Sequence, residues 1–237
     1  MLDKQKHQLV MAQLLQGISS NTAISSSLGF KGGTCSYLFY GLPRFSVDLD
    51  FDLLNNEIEI PNIMSEIVKI ASKMGEIKES WNKRYTIFTL LSYGIMDHNI
   101  KIEINTRDAE PQTKEYYMLQ QYLGIPLLIG NKDFLFASKL TALLGRSRLA
   151  MRDVFDVHHY AKNIWPINIE YIKKKTGDDL DVYLKRCIEY IEKIPKNAVL
   201  TELGELIDNK QKSWVKSHLI TDTLFLINSY IASLPKE

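Results

Sequence analysis

The sequence predicts an α+β protein in which a front half with a short mixed or antiparallel sheet precedes a mainly helical back half. Runs of alternating apolar and polar residues lie before residue 130, and apolar residues at helical spacing dominate after it. We found neither an internal repeat nor a low-complexity linker between the two patterns. We therefore expect an α+β core over residues 1–130 and a helical domain over residues 131–237.

The front half contains helix and strand signals in alternation. A helical pattern covers residues 4–27, and a short apolar stretch then turns at a Gly-Gly pair into the helical segment CSYLFYG. Pro61 opens the next helix, because proline is favoured in the first helical turn. The runs RYTIFTLLSY and NIKIEINTR are typical of strands, and GIMDHN between them predicts a hairpin turn.

The back half is predicted to be helical almost throughout. Four of its segments have apolar residues at helical spacing: KDFLFASKLTALLG, LAMRDVFDVHHYAKN, LDVYLKRCIEYIEKI and WVKSHLITDTLFLINSYIASL.

The composition is that of an ordinary globular protein. The chain has 237 residues, of which 45% are hydrophobic and 24% charged, and its formal charge is +1. A near-neutral chain has no global basic field, so any nucleic-acid contact must come from a local patch. The two cysteines lack the spacing of a structural zinc site. The polar start MLDKQKHQLVMAQLLQ does not resemble a signal peptide, and no apolar run is long enough to span a membrane, so we expect a cytoplasmic protein without membrane contact.

Three aspartates at every second position form the most informative pattern. In SVDLDFDLL, Asp48, Asp50 and Asp52 share one face of an extended strand, and apolar residues share the other. Aspartate is depleted in strands, so three on one face need a reason. One alternative is the solvated face of an edge strand. The other is a metal site, since a divalent cation turns the repulsion between neighbouring carboxylates into attraction.

The Gly-Gly turn just upstream supports the metal interpretation. Gly32 and Gly33 lie where a strand passes into a helix, a place where backbone N–H groups can approach a phosphate. A third acid is available in NIKIEINTR, where Glu103 faces away from the isoleucines. If that strand neighbours the first, Glu103 can bind metal or act as a base; otherwise it belongs to a surface Lys-Glu alternation.

The segment FKGGTCSYLFYGLPRFSVDLDFDL resembles the nucleotidyltransferase motif of the AbiEii/AbiGii toxin family. That family belongs with the MenT toxins in the polymerase-beta-like nucleotidyltransferase superfamily. The segment SKLTALLGRSRLAMRDVFDVHHYAK is similar to the second signature of the family. Together the motifs cover residues 30–162.

The resemblance implies a role for each matching residue. Phosphates of an NTP would be held by the glycine turn with Thr34, and Arg44 and Ser46 belong to the same motif, Arg44 pairing with phosphate or a carboxylate. Asp48 and Asp50 would bind Mg²⁺, or alternatively Mn²⁺; Glu103, which the strand pattern and not the resemblance adds, would bind metal in a two-metal site. Lys139 would contact the triphosphate, and Asp153 or Asp156 would be the distal catalytic carboxylate. The helical domain would thereby complete the active site.

The cations around Lys139 form a local basic patch. Residues 139–152 contain Lys139, Arg146, Arg148 and Arg152 and no acid. On a helix Arg146 lies on the face of Lys139 and serves the nucleotide, while Arg148 points elsewhere. We assign Arg148 and Arg152 to RNA binding. The alternative is an ordinary solvated helix face.

These expectations together describe a Mg²⁺-dependent nucleotidyltransferase that acts as the toxin of a toxin–antitoxin or phage-defence pair. By resemblance to the MenT toxins, the acceptor is the 3′ end of tRNA, and a cognate antitoxin is an expected partner. Two alternatives remain open. One is a transferase that modifies a small molecule of the aminoglycoside type, and the other is a catalytically idle binding protein with the same fold.

Overall fold

The computed structural model describes residues 3–94 and 98–235. The chain forms two compact units that are not simple halves of the sequence. The first unit consists of Met1–Gly41 and Phe45–Asn131, and the second of Leu42–Arg44 and Lys132–Glu237. The three-residue segment Leu42–Arg44 therefore belongs to the second unit although it interrupts the first in sequence.

The first unit is built from three helices and a mixed sheet. Its helices are α1 (Lys4–Ser20), α2 (Gly32–Tyr40) and α3 (Ile60–Ala71). Its strands are β1 (Leu28–Lys31), β2 (Leu49–Leu53), β3 (Glu76–Lys83), β4 (Thr86–Tyr93), β5 (His98–Asn105), β6 (Tyr117–Tyr122) and β7 (Ile125–Gly130). Within the described residues the sheet has seven strands in the order β3-β4-β5-β2-β1-β7-β6. The predicted α+β class is confirmed, and the sheet is larger than the sequence suggested.

The two faces of the sheet differ in polarity along its central strands. One row of paired residues crosses five strands with apolar side chains that are all fully buried: Ile129, Phe30, Phe51, Ile104 and Ile87. Side chains alternate along each strand, so the adjacent row lies on the opposite face. On the central strands β1, β2 and β5 this row is charged. There Asp50 of β2 pairs with Lys31 of β1 and with Glu103 of β5. The condition under which Glu103 can share a face with Asp50, that the two strands are neighbours, is therefore met.

Most elements of the first unit lie where the sequence predicts them. Pro61 stands in the first turn of α3. The strands β4 and β5 pair in antiparallel fashion, and the hairpin turn predicted between them includes residues 95–97, which lie outside the described residues. Strands β3, β6 and β7 were not predicted. β3 and β6 form the edges of the sheet and are mostly exposed, so they lack the alternation that marks a half-buried strand.

The second unit is helical. Its helices are α4 (Lys132–Gly145), α5 (Met151–Lys162), α6 (Ile169–Thr176), α7 (Leu180–Glu192) and α8 (Asn209–Ser233). α5 packs against both α4 and α8, which explains why nearly every side chain of α5 is buried. The four predicted helical segments correspond to α4, α5, α7 and α8, whereas the short α6 was missed. None of the helices in the described part of the chain combines the length and hydropathy of a membrane span.

Candidate active site

The N-terminus of α2 and the strand β2 bring the glycine turn against a carboxylate. Gly32 has a φ of 75°, a left-handed conformation that favours glycine. A Cβ atom at this position would lie 2.3 Å from Oδ2 of Asp50, so only glycine leaves room for that carboxylate. The helix begins at Gly32 without a side-chain cap. Its first backbone N–H groups are therefore of the kind that bind phosphate oxygens.

Asp52, the third alternate aspartate, is part of a buried network. Its carboxylate accepts hydrogen bonds from Lys31 Nζ at 2.5 Å, Asn105 Nδ2 at 2.7 Å and the Tyr117 hydroxyl at 2.6 Å. Burial alone would raise the pKa of Asp52, but the charge of Lys31 and these hydrogen bonds hold it below its ordinary value. Asp52 is only 4% exposed, so the alternative of a solvated strand face does not hold for this aspartate.

Tyr117 reaches Asp52 across a glycine. A Cβ atom at Gly29 would lie 2.4 Å from the Tyr117 ring, which shows how closely the ring passes over β1. The network therefore ties the edge strand β6 to the acidic strand β2. Sequence reasoning missed Tyr117, because no local pattern indicates a partner 65 positions away.

The backbone before Asp48 is held from two sides. The Thr34 hydroxyl is within hydrogen-bond distance of both Ser46 Oγ, at 2.8 Å, and the Asp48 carbonyl oxygen. Thr34 and Ser46 are both buried. Their side chains thus shape the loop that leads into β2, and a phosphate contact by Thr34 would have to use its backbone N–H.

His7 supports the same loop from α1. Its Nε2 donates to the Val47 carbonyl oxygen at 2.9 Å, and its Nδ1 lies 2.5 Å from the Tyr93 hydroxyl, which donates to it. Desolvation lowers the pKa of His7, although the hydrogen bond to Val47 and the charge of Asp48 oppose that effect. A neutral, fully buried imidazole therefore fixes the peptide that precedes Asp48. His7 carries no motif signal and was not predicted.

The second unit holds a cluster of five charged side chains around Asp153 and Asp156. Arg44 donates two hydrogen bonds to Asp156, from Nε at 2.6 Å and from a terminal nitrogen at 2.7 Å. Lys139 Nζ lies 3.0 Å from a carboxylate oxygen of each aspartate. Arg146 Nε lies 2.6 Å from Asp153 Oδ2, without the alignment of a hydrogen bond. Of the two partners expected for Arg44, the structure shows the carboxylate.

Burial makes the charges of this cluster depend on one another. Desolvation would lower the pKa of Lys139, but Asp153 and Asp156 outweigh it and raise that pKa. Desolvation would raise the pKa of Asp156, but Arg44 and Lys139 hold it below its ordinary value. Both Asp156 and Lys139 are therefore charged at neutral pH. The cluster contains three cations and two carboxylates, so these five side chains have one more positive charge than negative charges.

The arginines near Lys139 do not continue its helix. α4 ends at Gly145 and α5 begins at Met151, so the helical-spacing argument for Arg146 and Arg148 was wrong. Arg146 nevertheless reaches the same aspartate as Lys139, from a loop. Arg152 lies 3.8 Å from Glu202. The predicted basic patch is thus largely paired with acids, and among the described residues Arg148 is exposed and has no ion pair.

The carboxylates on β2 and β5 are suited to a magnesium ion whose remaining ligands come from the substrate and water. Within residues 3–94 and 98–235, no three His, Cys, Asp or Glu side chains converge into a closed metal cluster. Magnesium commonly uses one or two carboxylates together with waters and substrate phosphates, so a closed cluster is not required. The cradle at Gly32 places the Asp50 carboxylate beside a helix N-terminus suited to phosphate. The residues present therefore fit the ion.

Two solved structures share the fold of the whole chain. A crystal structure of a provisionally assigned nucleotidyltransferase from H. pylori superposes with a TM-score of 0.65 at 20% identity and covers 100% of both chains. The crystal structure of JHP933 from Helicobacter pylori gives a TM-score of 0.60 at 21% identity, with 98% of this chain and 97% of that chain covered. At these identities the likeness shows a shared fold. No match was found among curated proteins.

A family model provides the assignment. It is described as the nucleotidyl transferase AbiEii toxin of a type IV toxin–antitoxin system, and it matches residues 13–217, which include both motifs and the carboxylates of β2. The match covers most of the chain, and the fold of the H. pylori structures agrees with it. The chain is therefore a nucleotidyl-transferring enzyme that belongs to the AbiEii toxin family.

Proposed function

We propose that this protein transfers nucleotides from an NTP to the 3′ end of tRNA in a reaction that depends on Mg²⁺. It would act as the toxin of a toxin–antitoxin or phage-defence pair, opposed by a cognate antitoxin. The observation that carries the proposal is the approach of the Asp50 carboxylate to Gly32 at the start of α2. A metal ligand next to a phosphate-binding helix N-terminus is the arrangement that nucleotidyl transfer needs.

In the proposed reaction the acceptor hydroxyl attacks the α-phosphorus of the NTP. A new P–O bond forms, the bond to the β-phosphate oxygen breaks, pyrophosphate leaves, and the hydroxyl proton passes to a base. Asp48 and Asp50 would hold Mg²⁺ together with oxygens of the substrate phosphates, and the ion would supply charge neutralisation at the reacting phosphate. The backbone N–H groups of residues 32–34 would bind phosphate oxygens. Glu103 is the candidate base if it does not bind metal.

Lys139 and Arg146 are proposed to stabilise the triphosphate. The support is the excess of one cation in their cluster, which favours binding of an anion. Asp156 fits a positioning role better than that of a base, since its lowered pKa makes it a weak proton acceptor at neutral pH. Asp153 therefore remains the candidate for the distal carboxylate. Arg148, which is exposed, is the proposed RNA contact, with Arg152 as a second.

The test is transfer by the purified protein with each of the four labelled NTPs, total tRNA and Mg²⁺. We expect label in tRNA with one preferred NTP. Asp50→Asn should lower the transfer rate at least about 100-fold, because it removes a charged metal ligand while keeping the size of the side chain.

A control variant distinguishes loss of the metal site from the general effect of removing one negative charge. Glu115→Gln removes an exposed acid of the same unit and should leave the rate unchanged. Near wild-type transfer by Asp50→Asn would refute the metal site. Label that appears in an added aminoglycoside instead of tRNA would replace the RNA acceptor by a small molecule.

A further inference from the structure

A pocket of about 450 Å³ lies in the second unit, between α5 and α8. Its lining comes from one face of each helix, because Phe155, His158 and Lys162 on α5 and Lys210 and Trp214 on α8 are three or four positions apart. We call this the α5–α8 pocket. Its volume lies within the range of about 300–1,000 Å³ that is usual for small-molecule sites. None of these residues has a role in the proposed transfer.

Part of the pocket wall is aromatic. Trp214 is half-buried, and its ring centroid lies 4.8 Å from that of His158, with the two ring planes tilted by 54°. Desolvation lowers the pKa of His158 to about 4, even though Asp222 acts in the opposite direction. The imidazole is therefore neutral at physiological pH, and with Phe155 it makes an apolar support for a flat ring.

The rim of the pocket is cationic. Lys162 and Lys210 are exposed, and neither forms an ion pair with any residue in the described part of the chain. The floor is held by Gln211, whose side-chain amide donates to the Pro43 carbonyl oxygen and whose Oε1 accepts from the backbone of Asp208 at 2.9 Å. An aromatic wall with two lysines at its rim matches a flat base that carries phosphates.

We propose that the α5–α8 pocket binds the single-stranded end of the acceptor RNA. An unpaired base stacks on Trp214, and the phosphates on either side of it contact Lys162 and Lys210. This inference rests on the proposed function, since it takes RNA as the acceptor. In this proposal the RNA is recognised by base stacking, which tolerates any base, and by charge. We therefore expect the pocket to bind single-stranded RNA without strict sequence preference.

The experiment measures binding of a fluorescein-labelled single-stranded RNA of eight adenosines to the full-length protein, by anisotropy at several salt concentrations. Trp214→Ala should weaken binding about tenfold, as expected for loss of one stacked base, and Trp214→Phe should weaken it less. The double variant Lys162→Gln/Lys210→Gln should lower the log–log salt slope by up to about 1.4, because each single-strand phosphate contact contributes about 0.7.

Lys216→Gln is the matched control, since Lys216 is exposed on α8 and does not line the pocket. It should change neither affinity nor slope beyond the small effect of net charge. Inorganic polyphosphate, which lacks bases, should compete only weakly and without dependence on Trp214. If Trp214→Ala is folded by circular dichroism and binds the RNA as tightly as the wild type, the inference is overturned. Equal, Trp214-dependent binding of polyphosphate would also overturn it.

Transfer assays on the same variants separate the two proposals. Trp214→Ala should raise the KM for RNA and leave the KM for NTP unchanged. Transfer to RNA by the wild type together with an unaltered RNA KM in Trp214→Ala would overturn the pocket and leave the proposed function standing. RNA binding that depends on Trp214, in a wild type that transfers nothing to RNA, would support the pocket and refute the proposed function.

Discussion

Replacing Asp156 by asparagine should destabilise the second unit strongly. Asp156 is fully buried, and its partner Arg44 is 2% exposed in its side chain, so water cannot replace the lost carboxylate. Asparagine keeps the size of the side chain but leaves Arg44 facing a neutral amide and Lys139 with one anion in place of two. Loss of one partner of a buried ion pair typically costs about 3–5 kcal/mol. That is a large fraction of the roughly 5–15 kcal/mol by which domains are stable.

Urea denaturation of the full-length protein, followed by circular dichroism, measures the effect. We expect a lower midpoint at an unchanged slope, since the surface exposed on unfolding stays the same. Asp181→Asn is the control, because its pair with Lys185 is exposed to water and should contribute little to stability. The double variant Arg44→Met/Asp156→Leu should recover much of the loss, since apolar residues of similar volume often replace a buried pair without cost.

The pH dependence of the effect has a defined sign. The pKa of Asp156 is lower in the folded protein than its ordinary value of 3.8. Its contribution to stability is therefore complete above that value and is lost as the pH falls below it. The difference between wild type and Asp156→Asn should shrink in the same range. A cost below about 1 kcal/mol at neutral pH would refute the view that this ion pair holds the unit together.

Three further predictions test separate parts of the chain. Gly32→Ala should abolish transfer, because the added Cβ would collide with the Asp50 carboxylate. Gly41→Ala is the control: Gly41 also has a positive φ, but a Cβ there meets no atom within 4 Å. This variant should keep activity at some cost in thermal stability. Lys139→Ala should lower the transfer rate about 100-fold or more, and wild-type turnover would remove it from the site. Because the pKa of His158 is low, the contribution of its neutral imidazole to stability is complete above pH 6.5 and is lost as the pH drops towards about 4. His158→Gln should flatten that part of the pH profile of stability. An unchanged profile would contradict burial of the neutral imidazole.

The sequence predicted the features that depend on neighbouring residues. The alternation of aspartates with apolar residues indicates the two faces of β2. The alternating isoleucines of β5 indicate the two faces of that strand, which pairs with β2. Proline at position 61 and the apolar spacing of the later helices are equally local signals. These signals were sufficient for the fold class, and the roles of the carboxylates stay predictions.

The features that were missed depend on distant partners. Arg44 and Asp156 are 112 positions apart, and no pattern in either segment shows that they pair. The three alternate aspartates look equivalent in sequence, and nothing local shows that Asp52 is enclosed by Lys31, Asn105 and Tyr117. The helical segment KDFLFASKLTALLG ends at Gly145, as α4 does, and the positions expected for Arg146 and Arg148 were wrong because helical spacing was carried past that glycine.

The segment Leu42–Arg44 limits how this protein can be divided. It belongs to the helical unit, although the chain on both sides of it belongs to the unit with the sheet. A fragment that ends at residue 131 would carry Arg44 without Asp156, and a fragment that begins at residue 132 would carry a buried aspartate without its guanidinium. Neither fragment should be expressed well as a soluble domain. Split versions of the enzyme would have to reassemble from both pieces before either could fold.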